Sequence, residues 1–490
     1  MKSLYRNLSI YGVGNVLSKG INILLVPVYT AYLSMDSFGA LELINMTASI
    51  SLMFFCFNAS SGYIRKYYDE ESKGSAFSSV FWFSLISSLL MTLLFLNSSV
   101  FFSRYIFDFQ NGDYLFRLII IATAIHAVSV NLYSHLQVRG NAFIYMLISI
   151  ITLVSTICLT VIFVAVRKAG LEGIMYAKIM GSLLEFTMLF LVCRKSIILK
   201  FSRAFISDVL KFSIPLIPGQ ISAFFLNYAD RVFIKEYKGL ADVGIYSLGY
   251  KISSILLILT VFPITKAFGP YIFSLIKYPD QLRETFRRFM RYYILFSLSM
   301  ALILSLFSRE IILLLANRDY MDASYIVYIL CMSYVFYGLH AITSFVFHIT
   351  KKTWIMSVIM AAAALLNIGL NFLLVPNYGI IGASAATMMS FFLVLIIKFI
   401  IIEFTYPMDF GYFLYFAIFG ASGLLYYASY YASVYAVHGI IPGIAMKIMI
   451  LVLFFTLAVY SGFISRSELS SFRIFFLNYI KRYFRGMKKD

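Results

Sequence analysis

Apolar stretches of about twenty residues recur along the whole sequence, and only short polar segments separate them. At about 1.5 Å per helical residue, twenty residues span the hydrocarbon core of a bilayer. Lipid offers the backbone no hydrogen-bond partner, so a continuous apolar run crosses the membrane as a helix. The pattern therefore predicts an all-α polytopic membrane protein.

Composition agrees with this fold class. Hydrophobic residues make up 61% of the 490 residues and charged residues only 13%, too few charges to cover a soluble protein of this size. We predict about fourteen transmembrane helices, at residues 9–31, 38–59, 76–98, 114–136, 143–165, 171–193, 208–234, 243–267, 291–308, 324–349, 354–375, 381–402, 411–432 and 441–463.

The loops carry their positive charge unevenly. Of the 40 Lys and Arg residues, 26 fall in the segments on one side of these spans and seven in those on the other side. Cytoplasmic loops are rich in Lys and Arg, so this bias predicts that both termini are cytoplasmic. The net charge of +18 then reflects topology and does not predict a nucleic-acid partner, because the cations form no binding stripe.

An internal repeat divides the chain. The segment beginning "SIYGVGNVLSKG" at Ser9 matches "SIPLIPGQISAF" at Ser213, and the same alignment places Gly39 opposite Gly244. Two six-helix lobes of parallel orientation would produce this repeat. The predicted domains are the N-lobe at 1–205, the C-lobe at 206–406, two further helices at 407–463, and a basic amphipathic cytoplasmic tail at 464–490; residues 274–291 are predicted to form a second amphipathic surface helix.

Helix-breaking residues interrupt equivalent spans of the two copies. Gly12 and Gly14 lie in the first span, and Pro215, Pro218 and Gly219 lie in the seventh. Matched breaks of this kind in the halves of a transporter indicate the substrate path and the hinges. A proline at a helix start is ordinary, but we place Pro218 too far into its span for that explanation alone.

Ionisable side chains also lie inside the predicted spans, where a central charge costs about 2.5–3.5 kcal/mol. Such a cost is tolerated where the side chain faces water, a counter-ion or a charged ligand. The cations too deep to reach the membrane surface are Lys19, Lys178, Arg231 and Lys251, and the principal acids are Glu42, Glu185 and Asp230.

Internal ion pairs are one explanation of these charges, with Glu42 or Glu185 neutralising Lys19 or Lys178. Because the cations outnumber the acids, we expect some positive charge to remain for an anionic ligand. Asn367 and Asn371 share one helical face and either bond across helices or line a cavity.

Metal and disulfide chemistry have no signature here. The four Cys residues are scattered, and no Cys or His spacing suits a metal site. We therefore predict no metal, no cofactor other than a coupling ion, and no catalytic residues.

The chain resembles the polysaccharide repeat-unit flippases (the Wzx type) of the multidrug/oligosaccharidyl-lipid/polysaccharide (MOP) exporter superfamily. The resemblance covers nearly the whole chain. It is carried by "FSIPLIPGQISAFFLNYADRVFI", "GLADVGIYSLGYKI" and "LLNIGLNFLLVPNYGIIGASAAT".

This resemblance implies two lobes around a central cavity, alternating access and an undecaprenyl-pyrophosphate-linked oligosaccharide as substrate, such as an O-antigen or capsule unit, moved from the inner to the outer leaflet. Membrane lipids and other polysaccharide-assembly proteins are the implied partners. The related lipid II flippases carry essential cations on their first, second and eighth helices. Lys19 and Lys251 occupy the first and eighth spans here, but the second span carries Glu42.

On this hypothesis Lys19 and Lys251 bind the pyrophosphate, and Asp230 and Arg231 act near the outer exit. Glu42 or Glu185 then exchanges H⁺ or Na⁺ to reset the cycle. An export site for organic cations would need bare acids instead, and a membrane glycan polymerase or glycosyltransferase would need a long outer loop or paired carboxylates.

Overall fold

A computed structural model describes residues 23–67, 73–107, 109, 111–408, 410–435 and 439–463. The described residues are helical, with no β-strand among them. Gly12, Gly14, Lys19 and the tail at 464–490 lie outside these ranges. The predictions made for them therefore remain predictions.

The helices of the first part of the chain follow one another through short connections. Irregular turns in this part are the π-helical segments Ser103–Phe107 and Ile162–Val166 and the 3₁₀ turn Arg194–Ser196. The helices are α1 (Val26–Tyr32), α2 (Met35–Cys56), α3 (Ala59–Lys66), α4 (Lys73–Asn97), α5 (Ser99–Phe102), α6 (Gly112–Val138), α7 (Ala142–Val161), α8 (Gly170–Cys193) and α9 (Arg203–Ser213).

The second part begins after a 3₁₀ turn at Ile214–Leu216, and further irregular turns are the π segment Leu257–Val261 and the 3₁₀ segment Arg318–Ala323. The helices are α10 (Ile217–Lys238), α11 (Leu240–Leu256), α12 (Phe262–Ser274), α13 (Pro279–Leu306), α14 (Ser308–Leu315), α15 (Ser324–Ile349), α16 (Trp354–Thr405), α17 (Tyr412–Tyr435) and α18 (Ile440–Tyr460).

Twelve helical stretches within the described residues are long and apolar enough to cross a membrane. One of them, α16, has 52 residues, enough for two crossings at about 1.5 Å per residue. Gly379 divides it, with φ +54° and ψ −131°, a conformation that suits glycine. The spans predicted at 354–375 and 381–402 are thus two arms of one interrupted helix. The chain is a multi-pass, all-α membrane protein, as the sequence predicts.

Helix packing forms two groups joined by one main contact. In the first group, which precedes α9, α6 packs against α4 and α8, and α8 also packs against α7. In the second group, which follows α9, α16 packs against α10 and α15, and α15 also packs against α11 and α13. The principal contact between the groups is that of α2 with α11. A site that uses both halves of the chain therefore lies along the α2–α11 contact.

Two local predictions need correction. Residues 274–291 do not form a separate surface helix, because residues 275–278 lie outside any helix and α13 runs without a break from Pro279 to Leu306. Pro218 is the second residue of α10, a position that needs no backbone N–H partner, so our argument that it lies deep within a span is wrong. The helix break itself lies just before it, at Ile214–Leu216, and includes Pro215.

Candidate functional site

Two glycines bring α2 and α11 into backbone contact. A Cβ atom on Gly39 would lie 2.0 Å from the carbonyl oxygen of Leu240, and one on Gly244 would lie 2.6 Å from that of Met35. Only glycine fits such an approach. Glu42 follows Gly39 by one helical turn and Lys251 follows Gly244 by two, so each lies on the same face as its glycine.

Glu42 and Lys251 form an ion pair along this contact. Lys251 Nζ lies 2.9 Å from Glu42 Oε1, and the two side chains are only 18% and 7% exposed. We expected Lys251 to keep its charge for a ligand, but a carboxylate holds it in this conformation. Among the described residues the partner of Glu42 is thus Lys251 and not Lys178, while the supposed pairing with Lys19 lies outside these residues.

Lys178 of α8 joins the pair through an amide. Its Nζ donates a hydrogen bond to Asn45 Oδ1, and Asn45 Nδ2 donates to Glu42 Oε1 over 3.4 Å. Lys178 is half-buried, and no carboxylate among the described residues pairs with it. The lysine thus carries a charge that only a neutral side chain solvates.

Arg231 of α10 lies among three tyrosines. Its guanidinium carbon is 5.1 Å from the ring centre of Tyr228, 5.7 Å from that of Tyr246 and 4.6 Å from that of Tyr250. One terminal nitrogen donates to the carbonyl oxygen of Asn227 at 2.8 Å, and Nε has no hydrogen-bond partner. Aromatic faces attract a cation without neutralising it, so Arg231 also retains its charge.

These groups share one electrostatic environment. Lys178, Arg231 and Lys251 all attract Glu42. We call Glu42, Asn45, Lys178, Arg231 and Lys251 the central cluster. It draws on α2, α8, α10 and α11, and holds three cations around one carboxylate.

Asp230 lies next to Arg231 in sequence but in a different environment. Its Oδ2 accepts hydrogen bonds from Tyr246 at 2.5 Å and Thr387 at 2.7 Å, and its Oδ1 accepts one from Asn371 at 2.8 Å. Asp230 is fully buried and Arg231 is 3% exposed. Both lie within the packing of α10, α11 and α16, and their role near an outer exit stays a prediction.

The surroundings of Asp230 contain oxygen atoms suited to a small cation. Asn371 bonds across helices to Asp230 and along α16 to Asn367 Oδ1, 3.1 Å away. Asn371 Oδ1 and Asn367 Nδ2 are buried without a partner. Carboxylate, amide and hydroxyl oxygens are ligands for hard cations. We call Asp230, Asn367, Asn371 and Thr387 the Asp230 cluster.

Glu185 has another partner. His126 Nδ1 of α6 lies 2.7 Å from Glu185 Oε2 of α8, and the carboxylate is buried. The described residues contain no group of three His, Cys, Asp or Glu side chains that could hold a metal ion. The partner of Glu185 is thus a histidine and not Lys178.

Sequence reasoning missed several of these groups. The tyrosines around Arg231 gave no signal beyond the i, i+4 spacing of Tyr246 and Tyr250. Thr387 was not among the predicted site residues. Lys398 was not counted among the deep cations, but it is fully buried in α16.

Residues 31–325 match the model of a family described as "Polysaccharide biosynthesis protein". The chain belongs to this polysaccharide biosynthesis family. The match covers more than half of the sequence and includes Glu42, Lys178, Arg231 and Lys251. No curated protein matches the chain.

Solved structures of transporters share the fold of this family member. The lipid II flippase MurJ in an inward closed conformation has a TM-score of 0.70 at 16% identity, covering 91% of this chain and 98% of MurJ. An inward-facing multidrug resistance MATE transporter of the MOP superfamily has a TM-score of 0.64 at 16% identity, covering 78% and 93%. A Vibrio cholerae MATE transporter has a TM-score of 0.58 at 14% identity, covering 83% and 98%. At these identities the likeness establishes the fold alone, and it confirms the resemblance to this superfamily.

Proposed function

We propose that this protein is a flippase for an undecaprenyl-pyrophosphate-linked oligosaccharide, moved from the inner to the outer leaflet of a bacterial cytoplasmic membrane. The observation that carries the proposal is the central cluster. Lys178, Arg231 and Lys251 converge between the two halves of the chain, with Glu42 as their shared carboxylate. The excess of positive charge suits a ligand of opposite sign.

A diphosphate head group fits this arrangement physically. Moving it through hydrocarbon is prohibitive, whereas a path lined with Lys, Arg, Asn and Tyr replaces the lost water contacts. Lysine binds phosphate as a point charge without a fixed fork, and such binding is compatible with release. The sugars would meet the amides and phenol groups, while the prenyl chain stays in lipid.

In this proposal the carboxylate of Glu42 takes the place of the substrate's phosphate when no substrate is bound. Glu42 then pairs with Lys251 at 2.9 Å, so the lysine charge between the two halves has a partner. An incoming phosphate would compete with Glu42 for the same ammonium. Release of the phosphate would restore the pair and discourage backward transport.

Alternating access accounts for the glycine contact. In the topology that the Lys and Arg bias predicts, residues 35–39 and 240–244 lie at the outer ends of α2 and α11. Their close contact would close the outer side in this conformation. Opening that side requires α2 and α11 to separate, and this movement also parts Glu42 from Lys251.

Ion coupling is assigned in this proposal to the Asp230 cluster. A Na⁺ ion or a proton at Asp230 would compete with the hydrogen bonds from Tyr246, Asn371 and Thr387. Because Arg231 is the next residue of α10, a shift of Asp230 would move a cation of the central cluster. Glu42 and Glu185 are weaker candidates for coupling, since each already has a basic partner.

The export of organic cations, as the alternative within the superfamily, is less well supported. A cation-binding cavity needs an unneutralised carboxylate, whereas Glu42 is surrounded by three cations. A catalytic role as polymerase or glycosyltransferase has no paired-carboxylate site to support it among the described residues.

The test uses cells that lack the chromosomal gene and express Lys178→Met, Arg231→Gln or Lys251→Met. We expect surface polysaccharide to fall at least tenfold, about 1.4 kcal/mol or more, while lipid-linked oligosaccharide accumulates in the inner leaflet. The matched control is Lys447→Met, since Lys447 of α18 pairs with Glu310 away from the central cluster. Normal surface polysaccharide in a Lys178→Met/Lys251→Met double variant would refute the proposed site.

A further inference from the structure

Lys398 is a buried lysine without an acidic partner among the described residues. It lies in the second arm of α16 and is 0% exposed. Its Nζ donates hydrogen bonds to the carbonyl oxygen of His340 at 3.0 Å and to Ser344 Oγ at 2.6 Å, both on α15. The following acid of α16, Glu403, accepts a hydrogen bond from Tyr412 at 2.5 Å.

Lys398 Nζ has two hydrogen-bond acceptors, the same number as the N–H donors of a neutral amine. A neutral lysine has two N–H donors and a lone pair, whereas an ammonium has three donors. His340 O and Ser344 Oγ provide two acceptors, and the remaining near neighbour of Nζ is the Phe347 ring, 5.4 Å away. An ammonium here would need a third acceptor, because an unsatisfied buried charge is costly.

The imidazole of His340 can supply that acceptor. His340 is 8% exposed, and its Nδ1 is buried without a hydrogen-bond partner. A neutral imidazole with its proton on Nε2 presents Nδ1 as an acceptor. Lys398 and the imidazole of His340 interact electrostatically, which places them within range of each other.

The other titratable groups around Lys398 are few. His348, two turns after His340 on α15, is exposed and interacts electrostatically with Lys398. The ring centre of Tyr337 lies 6.1 Å from that of His340. Residues 217–227 of α10, the helix packed on α16, contain no titratable side chain.

We propose that Lys398 and His340 form a proton-binding site within the second half of the protein, separate from the central cluster and the Asp230 cluster. The Nζ lone pair takes one proton from water, and the ammonium directs its third N–H to His340 Nδ1. Release returns the proton to water and leaves the two hydrogen bonds to α15 in place. The site stands whether or not the proposed substrate is correct, because it requires only the proton.

The experiment follows the charge of lysine Nζ by ¹⁵N NMR in the full-length protein, labelled at lysine and held in lipid nanodiscs. We expect one resonance at the shift of a neutral amine in alkaline buffer, converting to an ammonium on acidification. It should be absent from Lys398→Met and present in Lys251→Met, which loses only an ammonium resonance. A Lys398 that remains an ammonium, or remains an amine, from about pH 6 to 10 overturns the proposal.

Two further variants keep the lysine in place. Ser344→Ala removes one acceptor and should shift only the Lys398 resonance, which assigns it even if Lys398→Met fails to fold. His340→Phe removes the third acceptor and should lower the titration midpoint by about one pH unit or more. The matched control His348→Phe, at the exposed position, should move the midpoint much less. An unchanged midpoint in His340→Phe would exclude His340 from the site.

Discussion

Gly39 and Gly244 contact each other's helix backbone although 204 residues lie between them, and they are the two positions that the internal repeat makes equivalent. A duplicated pair of helices thus meets through the same residue from each copy. The contact has no space for a side chain, and it controls whether α2 and α11 can close. Disruption of this glycine contact is therefore expected to change the conformation of the protein directly, and ligand binding only as a consequence.

Gly39→Ala and Gly244→Ala should favour the conformation in which α2 and α11 are apart. The new Cβ atoms would lie 2.0 and 2.6 Å from backbone oxygens, so the helices must move. We expect an Asn45→Cys reporter to react severalfold faster with a membrane-impermeant thiol reagent added outside, in a background with Cys158→Ser. Gly369→Ala, which meets open space in α16, is the control and should leave the rate unchanged.

The Glu42–Lys251 pair should show strong coupling in a double-mutant cycle. Removal of one partner leaves the other largely buried and unpaired, which costs about 3–5 kcal/mol for a buried pair. We expect Glu42→Gln and Lys251→Met each to lower the midpoint of thermal unfolding in detergent. The double variant should regain part of the loss. Strictly additive losses would show that the pair contributes nothing to stability in this conformation.

Sodium should stabilise the protein through the Asp230 cluster. A ligand present at a hundred times its Kd adds about 2.7 kcal/mol to the free energy of unfolding. We expect the unfolding midpoint to be higher in NaCl than in KCl of equal ionic strength, and this difference to vanish in Asp230→Asn. Glu185→Gln should retain it, since Glu185 bonds to His126 instead. A difference that persists in Asp230→Asn would place the sodium site elsewhere.

The helical class of the fold could be predicted because lipid permits few alternatives to a long apolar helix. Deep cations could also be recognised individually, since the cost of burial applies to each residue separately. Their ion-pair partners could not be predicted from the sequence. The pairing of Glu42 with Lys251, and of Glu185 with His126, depends on which helix faces meet, and hydropathy contains no such information.

Two errors have a local cause. Lys398 lies within the predicted span 381–402, close to its end, and was not counted among the deep cations, whereas α15 covers it. Pro218 was judged from the expected start of its span, but α9 ends at Ser213 and a new helix begins at Ile217. Helix ends are the least certain feature of a sequence pattern, and both residues lie near one.

The short helix α9 should move with the first half of the chain during transport. It packs on α3, where a Cβ on Gly62 would lie 2.7 Å from the carbonyl oxygen of Val209. Arg65 of α3 also places its guanidinium 4.4 Å from the centre of the Phe212 ring. The flexible point between the halves is then the 3₁₀ turn Ile214–Leu216, directly after this attachment.

A reductant-cleavable bis-methanethiosulfonate cross-link between Arg65→Cys and Phe212→Cys would fix α9 to α3, and transport should continue at close to the normal rate because the two already move together. Gly62→Ala should act in the opposite way. Its Cβ would displace α9, expose the segment before it to protease, and slow transport severalfold, since rotation of one half would no longer be passed to α10. Ser207→Ala, at an exposed position of α9, provides the control for a substitution in the same region. Loss of transport on cross-linking, reversed by reductant, would instead place the hinge between α3 and α9.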